Sequence, residues 1–133
     1  MLRELTEPVE LCLPDGRLNP ASVGFTRRPL HRAGLRGWGR NKRWEYWGLV
    51  TRTHVVGLTL SDLDYAAVLQ LYLLDRATLA ERDVTRVVPF SRAVVLPDER
   101  PPVHATANAR GLSLDFEDSA EGTSIEASAA EWR

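Results

Sequence analysis

The chain of 133 residues contains a single cysteine, Cys12, so no disulfide can form within it. It also lacks an apolar run of membrane-spanning length. The nearest, residues 65–74, is bounded by Asp64 and Asp75 and falls well short of the roughly 20 residues a spanning helix needs. The opening MLRELTEPVE carries glutamates where a secretory signal would need an apolar stretch, which makes the cytoplasm the default expectation. No P-loop, GxGxxG or GxSxG string is present. His31, His54 and His104 lie far apart and belong to no spaced ligand motif, so neither a metal nor a cofactor is expected. Cys12 has no local signature of a Cys-His nucleophile.

What is present is an ordinary globular composition, 44% apolar and 26% charged. A single domain of this length can bury well over half of the surface its unfolded chain exposes. The net charge of −1 conceals an uneven distribution. Arg27, Arg28, Arg32, Arg36, Arg40, Lys42 and Arg43 share a window without an acidic residue, whereas Asp115, Glu117, Asp118, Glu121, Glu126 and Glu131 crowd the C-terminal end. Either the two regions attract each other, or they stay solvated, or the basic one meets an anionic ligand.

Residues 38–75 hold three of the four tryptophans, all three tyrosines and the longest apolar runs, and the rest of the chain reads as arranged around them. Ahead of them, residues 8–13 alternate as a short edge strand with Cys12 on its polar face, closed by Asp15-Gly16. Residues 17–39, rich in Pro, Gly and Arg, read as a long surface excursion. Residues 42–50 alternate Trp44, Tyr46 and Gly48 against Arg43, Glu45, Trp47 and Leu49, and form a hairpin with residues 54–60. Gly57 leaves room for a neighbouring side chain to lie on the backbone, a tryptophan being the candidate.

Residues 61–82 remain ambiguous on the residues alone. Ser61 and Asp64 would suit a helix cap, and the apolar run suits a buried helix or a buried strand equally. Short strands follow over 84–89 and 93–96, broken by Pro89, Pro97, Pro101 and Pro102. Residues 103–109 and 112–117 make the clearest hairpin, around Arg110-Gly111, and 123–127 add a strand with Ile125 inward. Residues 129–133 carry no closing signal, so the pattern is expected to continue beyond them. Strands recurring with short turns and no repeating helix give an all-β domain spanning 1–133, an antiparallel meander forming a barrel or a sandwich.

The strings GFTRRPL (24–30), WGRNKRWEYWGLV (38–50), LDYAAVLQLYLLD (63–75) and RVVPF (86–90) resemble bacterial members of the domain-of-unknown-function 2804 family, in order and spacing over about the first ninety residues. The resemblance implies a strand within 65–82. Family members are substantially longer, which implies that the chain is an N-terminal portion or a shortened member of a two-barrel pattern. By analogy of fold it also implies a lipocalin-like barrel, complete or incomplete, similar to the paired barrels of carotenoid hydratases. A lipid or isoprenoid would then be the natural ligand, although fold alone does not fix function.

Asp62 and Asp64, beside Tyr65, form the most concentrated acid-bearing cluster. Two carboxylates held together divide acid and base roles when one is desolvated, and at i and i+2 on a strand end they would share a face. The competing reading is an Asp-rich turn. Asp64, Tyr65 and Asp62 are thus the catalytic candidates if the protein is an enzyme. Arg27 and Arg43 are candidates to hold an anionic head group at the mouth of an apolar pocket walled by Trp44, Tyr46, Trp47, Tyr65 and Tyr72. Against this, either arginine could stack on a tryptophan or pair with Glu45. The mouth is expected where Arg40, Lys42 and Arg43 meet Trp44. Nucleic-acid binding has the near-zero net charge and the lack of a recognised module against it. The leading expectation is a protein that binds, and as an open matter converts, a small apolar or amphipathic molecule. The alternative is a non-catalytic structural or assembly module that pairs through an open sheet edge with another copy or with a C-terminal portion.

Overall fold

The computed structural model describes residues 2–34, 37–97 and 104–132. Short pairings hold its N-terminal part together. β1 (Val9–Glu10) runs parallel to β2 (His31–Arg32), and single bridges join Glu4 to Phe25 and Cys12 to Leu18. One turn of 3-10 helix, Pro20–Ser22, begins at Asn19, whose side chain accepts the Ala21 N–H, and the proline at its first position gives up no donor the helix needs. The strand expected over 8–13 is reduced to two residues. Pro8 and Pro14 bracket it without N–H groups, and its partner β2 is itself only two residues long. Residues 17–34 and 37–39 hold only that helical turn and β2 as regular structure, as expected of an interrupted excursion.

Two four-stranded antiparallel sheets make up the rest. The first is a meander of β3 (Arg43–Val50), β4 (His54–Asp62), β5 (Ala66–Asp75) and β6 (Glu81–Pro89). The second contains β7 (Val94–Val95), β8 (His104–Ala109), β9 (Leu112–Ser119) and β10 (Gly122–Ala129), paired in sequence order. β5 resolves the ambiguous segment as a strand, because both of its edges are bonded and alternate residues Ala67, Leu69 and Leu71 enter the core. Between β8 and β9, Arg110 (φ 46°) and Gly111 (φ 78°) supply the two left-handed residues that a type I′ hairpin turn requires. Arg36, Pro101, Pro102, Val103 and Arg133, each part of a reading above, lie outside the described residues.

The two sheets face each other across one core. Leu58, Leu60 and Leu69 of the first meet Leu112, Leu114 and Phe116 of the second, all fully buried. Each such burial contributes about 1.5–3 kcal/mol. Ala105, Ala107 and Ala109 form the core face of β8, where small side chains let the layers approach. Among the described residues β3 pairs only with β4 and β6 only with β5, so no sheet closes into a barrel. No helix among the described residues is long and apolar enough to cross a membrane.

Candidate functional site

The alternation along β3 divides the aromatic residues between two faces. Arg43, Glu45, Trp47 and Leu49 lie opposite Asp62, Leu60, Leu58 and Val56, which places them on the core side. Glu45 is 6% exposed there and accepts a hydrogen bond from the Trp47 indole Nε1 at 3.0 Å. Trp44, Tyr46, Gly48 and Val50 occupy the outer face, joined across the sheet by Tyr72. Trp44 and Tyr46 are 64% and 63% exposed. It is the Tyr46 ring, not a tryptophan, that lies along the glycines: a Cβ on Gly57 would sit 3.6 Å from its hydroxyl and one on Gly48 3.2 Å. On this face the Tyr72 phenol is pushed up by burial and by the Glu81 and Asp83 carboxylates, which keeps it neutral.

Asp62 and Asp64 do not share a face. Asp62 ends β4 on the core side, where Arg43 Nη2 reaches its Oδ2 at 3.0 Å and the Asp64 N–H reaches its Oδ1 at 2.9 Å. Burial pushes Asp62 up, but hydrogen bonds from Ser91, the Asp64 N–H and Arg43, with the Arg43 charge, outweigh it and hold the carboxyl below its usual range. Asp64 sits in the turn with φ 64°, a left-handed conformation that aspartate tolerates better than most side chains. Its carboxylate faces the loop before β3 and accepts the Gly39 N–H at 2.6 Å, the Asn41 N–H at 3.1 Å and the Asn41 side-chain amide at 3.3 Å. Desolvation acts to raise Asp64 as well, and the Asn41 and Gly39 hydrogen bonds reverse it, so the net shift is downward. Tyr65 is exposed beside them and its N–H is bonded to the Leu63 carbonyl. These carboxylates are thus stabilised as anions. The turn builds and fastens a loop, a role the Asp-rich reading of the sequence contained.

That loop forms one wall of an open groove of about 740 Å³. Trp38, Arg40 and Lys42 line this wall, and Cys12, Pro14 and Asp15 the other. The second wall is a tight turn, closed by Leu13 N–H to Arg17 O at 2.7 Å and Gly16 N–H to Leu13 O at 2.9 Å. Asn41 spends its side-chain amide on the Gly37 carbonyl and on Asp64, which fixes the strip from 37 to 41. Trp38 is 73% exposed.

The residues singled out in the sequence therefore occupy four places. Trp44, Tyr46 and Tyr72 lie on the outer sheet face, Trp47 and Arg43 on the inner one, Asp62, Asp64 and Tyr65 in the β4–β5 turn, and Arg27 on the N-terminal segment. They do not line one pocket. Arg27 pairs with Glu4 at 2.8 Å, Arg32 with Glu10 at 3.8 Å and Arg43 with Asp62, so these three members of the basic window find acids outside the C-terminal cluster. The acids there have other partners: Asp115 holds His104 at 2.9 Å and Glu131 holds Arg86. Among the described residues no group of three His, Cys, Asp or Glu side chains could hold a metal. The mouth expected where Arg40, Lys42 and Arg43 meet Trp44 coincides with the groove only at Arg40 and Lys42, since Arg43 and Trp44 do not line it, and the opposite wall was missed because nothing in the string joins residues 12–16 to residues 37–42. Trp38 set between Gly37 and Gly39 was the available signal, a large side chain in a segment built to be a surface loop.

The chain matches a family model described as "Domain of unknown function (DUF2804)" over residues 2–132, well beyond the ninety residues that carry the resemblance by eye. No curated protein and no solved structure matches it.

Proposed function

The chain belongs to the family described as a domain of unknown function (DUF2804), and from its own geometry we propose that it is an assembly module, a lipocalin-like β-unit completed by a strand that docks on β3. The observation that carries this reading is the contrast between the two edges of the first sheet. Edge strand β6 contains Glu81, Arg82, Asp83, Arg86 and Pro89, the kind of sequence that blocks further pairing. In β3 the five residues from 46 to 50, Tyr-Trp-Gly-Leu-Val, have neither charge nor proline.

The hydrogen bond from Thr51 N–H to His54 O sets the phase of the β3–β4 ladder. Residues 43, 45, 47 and 49 bond to β4, which leaves the N–H and C=O groups of Trp44, Tyr46, Gly48 and Val50 directed to the open edge. The interior offers less to a small ligand, since Leu58, Leu60, Leu69, Leu112, Leu114 and Phe116 fill it. Nor does the Asp62–Asp64 turn favour acid/base work, because a general acid near neutrality needs a raised carboxyl and both are lowered.

The simplest partner is a second copy, paired antiparallel through β3 about a two-fold axis, so that two four-stranded sheets become one of eight. Sedimentation velocity from micromolar to millimolar concentration, together with amide hydrogen exchange, tests it. Association should protect the amides of residues 44, 46, 48 and 50, and a Tyr46→Lys/Val50→Lys variant should stay monomeric. A chain that remains monomeric throughout, with those four amides already protected in dilute solution, would overturn the proposal, because the edge would then be covered from within.

A further inference from the structure

The groove between Trp38 and Pro14 supports a second, independent activity that does not rest on strand docking. We infer that it binds a planar aromatic anion, a flat ring bearing a carboxylate or a phosphate, with the ring on Trp38 and the anionic group held by Arg40 and Lys42. At about 740 Å³ the groove falls within the usual size of small-molecule sites.

Three features of its walls select that chemistry. Arg40 and Lys42 have no ion-pair partner among the described residues, unlike Arg27, Arg32 and Arg43 of the same basic window. The one carboxylate among the described residues that line the groove, Asp15, is offset by Arg17, whose N–H lies 3.0 Å and whose Nε lies 3.6 Å from its oxygens. The Trp38 indole is left bare as well. Among the described residues the one cation over an aromatic ring is Arg92 on Phe90, at 5.9 Å, so Arg40 is not consumed by stacking on its neighbour.

Both walls are also ordered before any ligand arrives. The Asp64 carboxylate fastens the Gly39 and Asn41 amides, and the Leu13–Arg17 turn closes on itself at 2.7 Å. A site fixed in this way loses less freedom on binding. Two cations beside one exposed indole suit a single ring system with one anionic group. A long polyanion would need a basic strip, and Arg32 and Arg43 are already paired with acids.

The test is a titration of the chain, followed by amide and indole NMR shifts, with 2-naphthoate, adenosine 5′-monophosphate, inorganic phosphate and uncharged 2-naphthamide. At least one of the first two should shift the Trp38 indole and the amides of residues 37–42, and which of them binds more tightly separates a carboxylate ligand from a phosphate ligand. Phosphate and 2-naphthamide should each bind about tenfold more weakly, because each lacks one half of the recognition. Trp38→Ala and Arg40→Gln/Lys42→Gln should weaken binding by a similar factor while the thermal midpoint stays unchanged, since these side chains are exposed. No shift with either aromatic anion up to millimolar concentration, equal binding of 2-naphthamide, or unaltered binding by both variants would sink the inference. Strand association through β3 is read by sedimentation, so failure of one proposal is distinguishable from failure of the other.

Discussion

The Gly39 amide donates to the Asp64 carboxylate across 2.6 Å, a bond that ties the loop before β3 to the turn between β4 and β5. The two residues are 25 apart in sequence, and the link is what holds Trp38 and Arg40 at the rim of the groove. Asp64 accepts two further hydrogen bonds from Asn41, so one side chain serves three donors of the same loop. Asp64→Ala should leave the fold intact and speed amide exchange at Gly39 and Asn41, while Leu58 and Leu69 in the core stay protected. Unchanged exchange at both loop amides would show that the loop holds itself.

The aromatic residues of this chain divide into those that hold the fold and those that do not. Phe116 is fully buried between the sheets, so Phe116→Ala should cost about 3–5 kcal/mol of unfolding free energy. Trp44 projects from the outer face at 64% exposure, and Trp44→Ala should fall within about 0.5 kcal/mol of the parent chain. Denaturant unfolding of the two variants side by side checks this. Comparable losses would mean that the outer face is covered in solution.

The strands were legible because alternation survives wherever one face is buried. Residues 42–50, 54–60 and 112–117 come out within a few positions of β3, β4 and β9. The Arg110-Gly111 turn also follows directly from its residue types. By contrast, the β3 pattern with aromatics on both sides does not say which side faces in. The core took the side of Trp47 and Glu45, where Glu45 and the Trp47 indole satisfy each other, and left Trp44 and Tyr46 outside. Closure of the sheets depends on whether edges meet, and no local pattern encodes that. The groove is illegible for a similar reason, because it joins a turn at 13–17 to a loop at 37–42 through tertiary placement alone.

His104 lies 2.9 Å from Asp115, which sits on the same face of β9 two residues from Glu117, the residue registered opposite His104. The hydrogen bond to Asp115 and its charge raise the His104 pKa above the ordinary 6.5, with Glu117 adding in the same sense. A raised histidine stabilises the fold fully below its unfolded pKa and loses that contribution as pH rises through the folded value. NMR titration should place His104 above 6.5, and Asp115→Asn should return it toward that value. Both groups are exposed, so the accompanying change in thermal midpoint is expected to be small. An unshifted His104 in the parent chain would contradict the pairing.

The Arg43–Asp62 pair carries the opposite sign. Asp62 is the more shielded partner, at the core end of β4, and its carboxyl is lowered below the ordinary 3.8. A depressed carboxylate contributes stability that is present above its unfolded pKa and is lost as pH falls through the folded one. The thermal midpoint should therefore hold steady through mildly acidic solution and drop once the pH passes below about 3.8. Asp62→Asn keeps the oxygen that accepts the Asp64 N–H but removes the charge that meets Arg43, so it should lower the midpoint near neutral pH and flatten the acid limb. Asp75 is lowered too, chiefly by the Thr78 and Ala77 amides, and will leave some acid dependence in that variant. If Asp62→Asn and the parent chain showed the same acid limb, the ion pair at the end of β4 would contribute nothing to stability, and the hold on the β4–β5 turn would have to come from the backbone bonds at Leu63 and Tyr65.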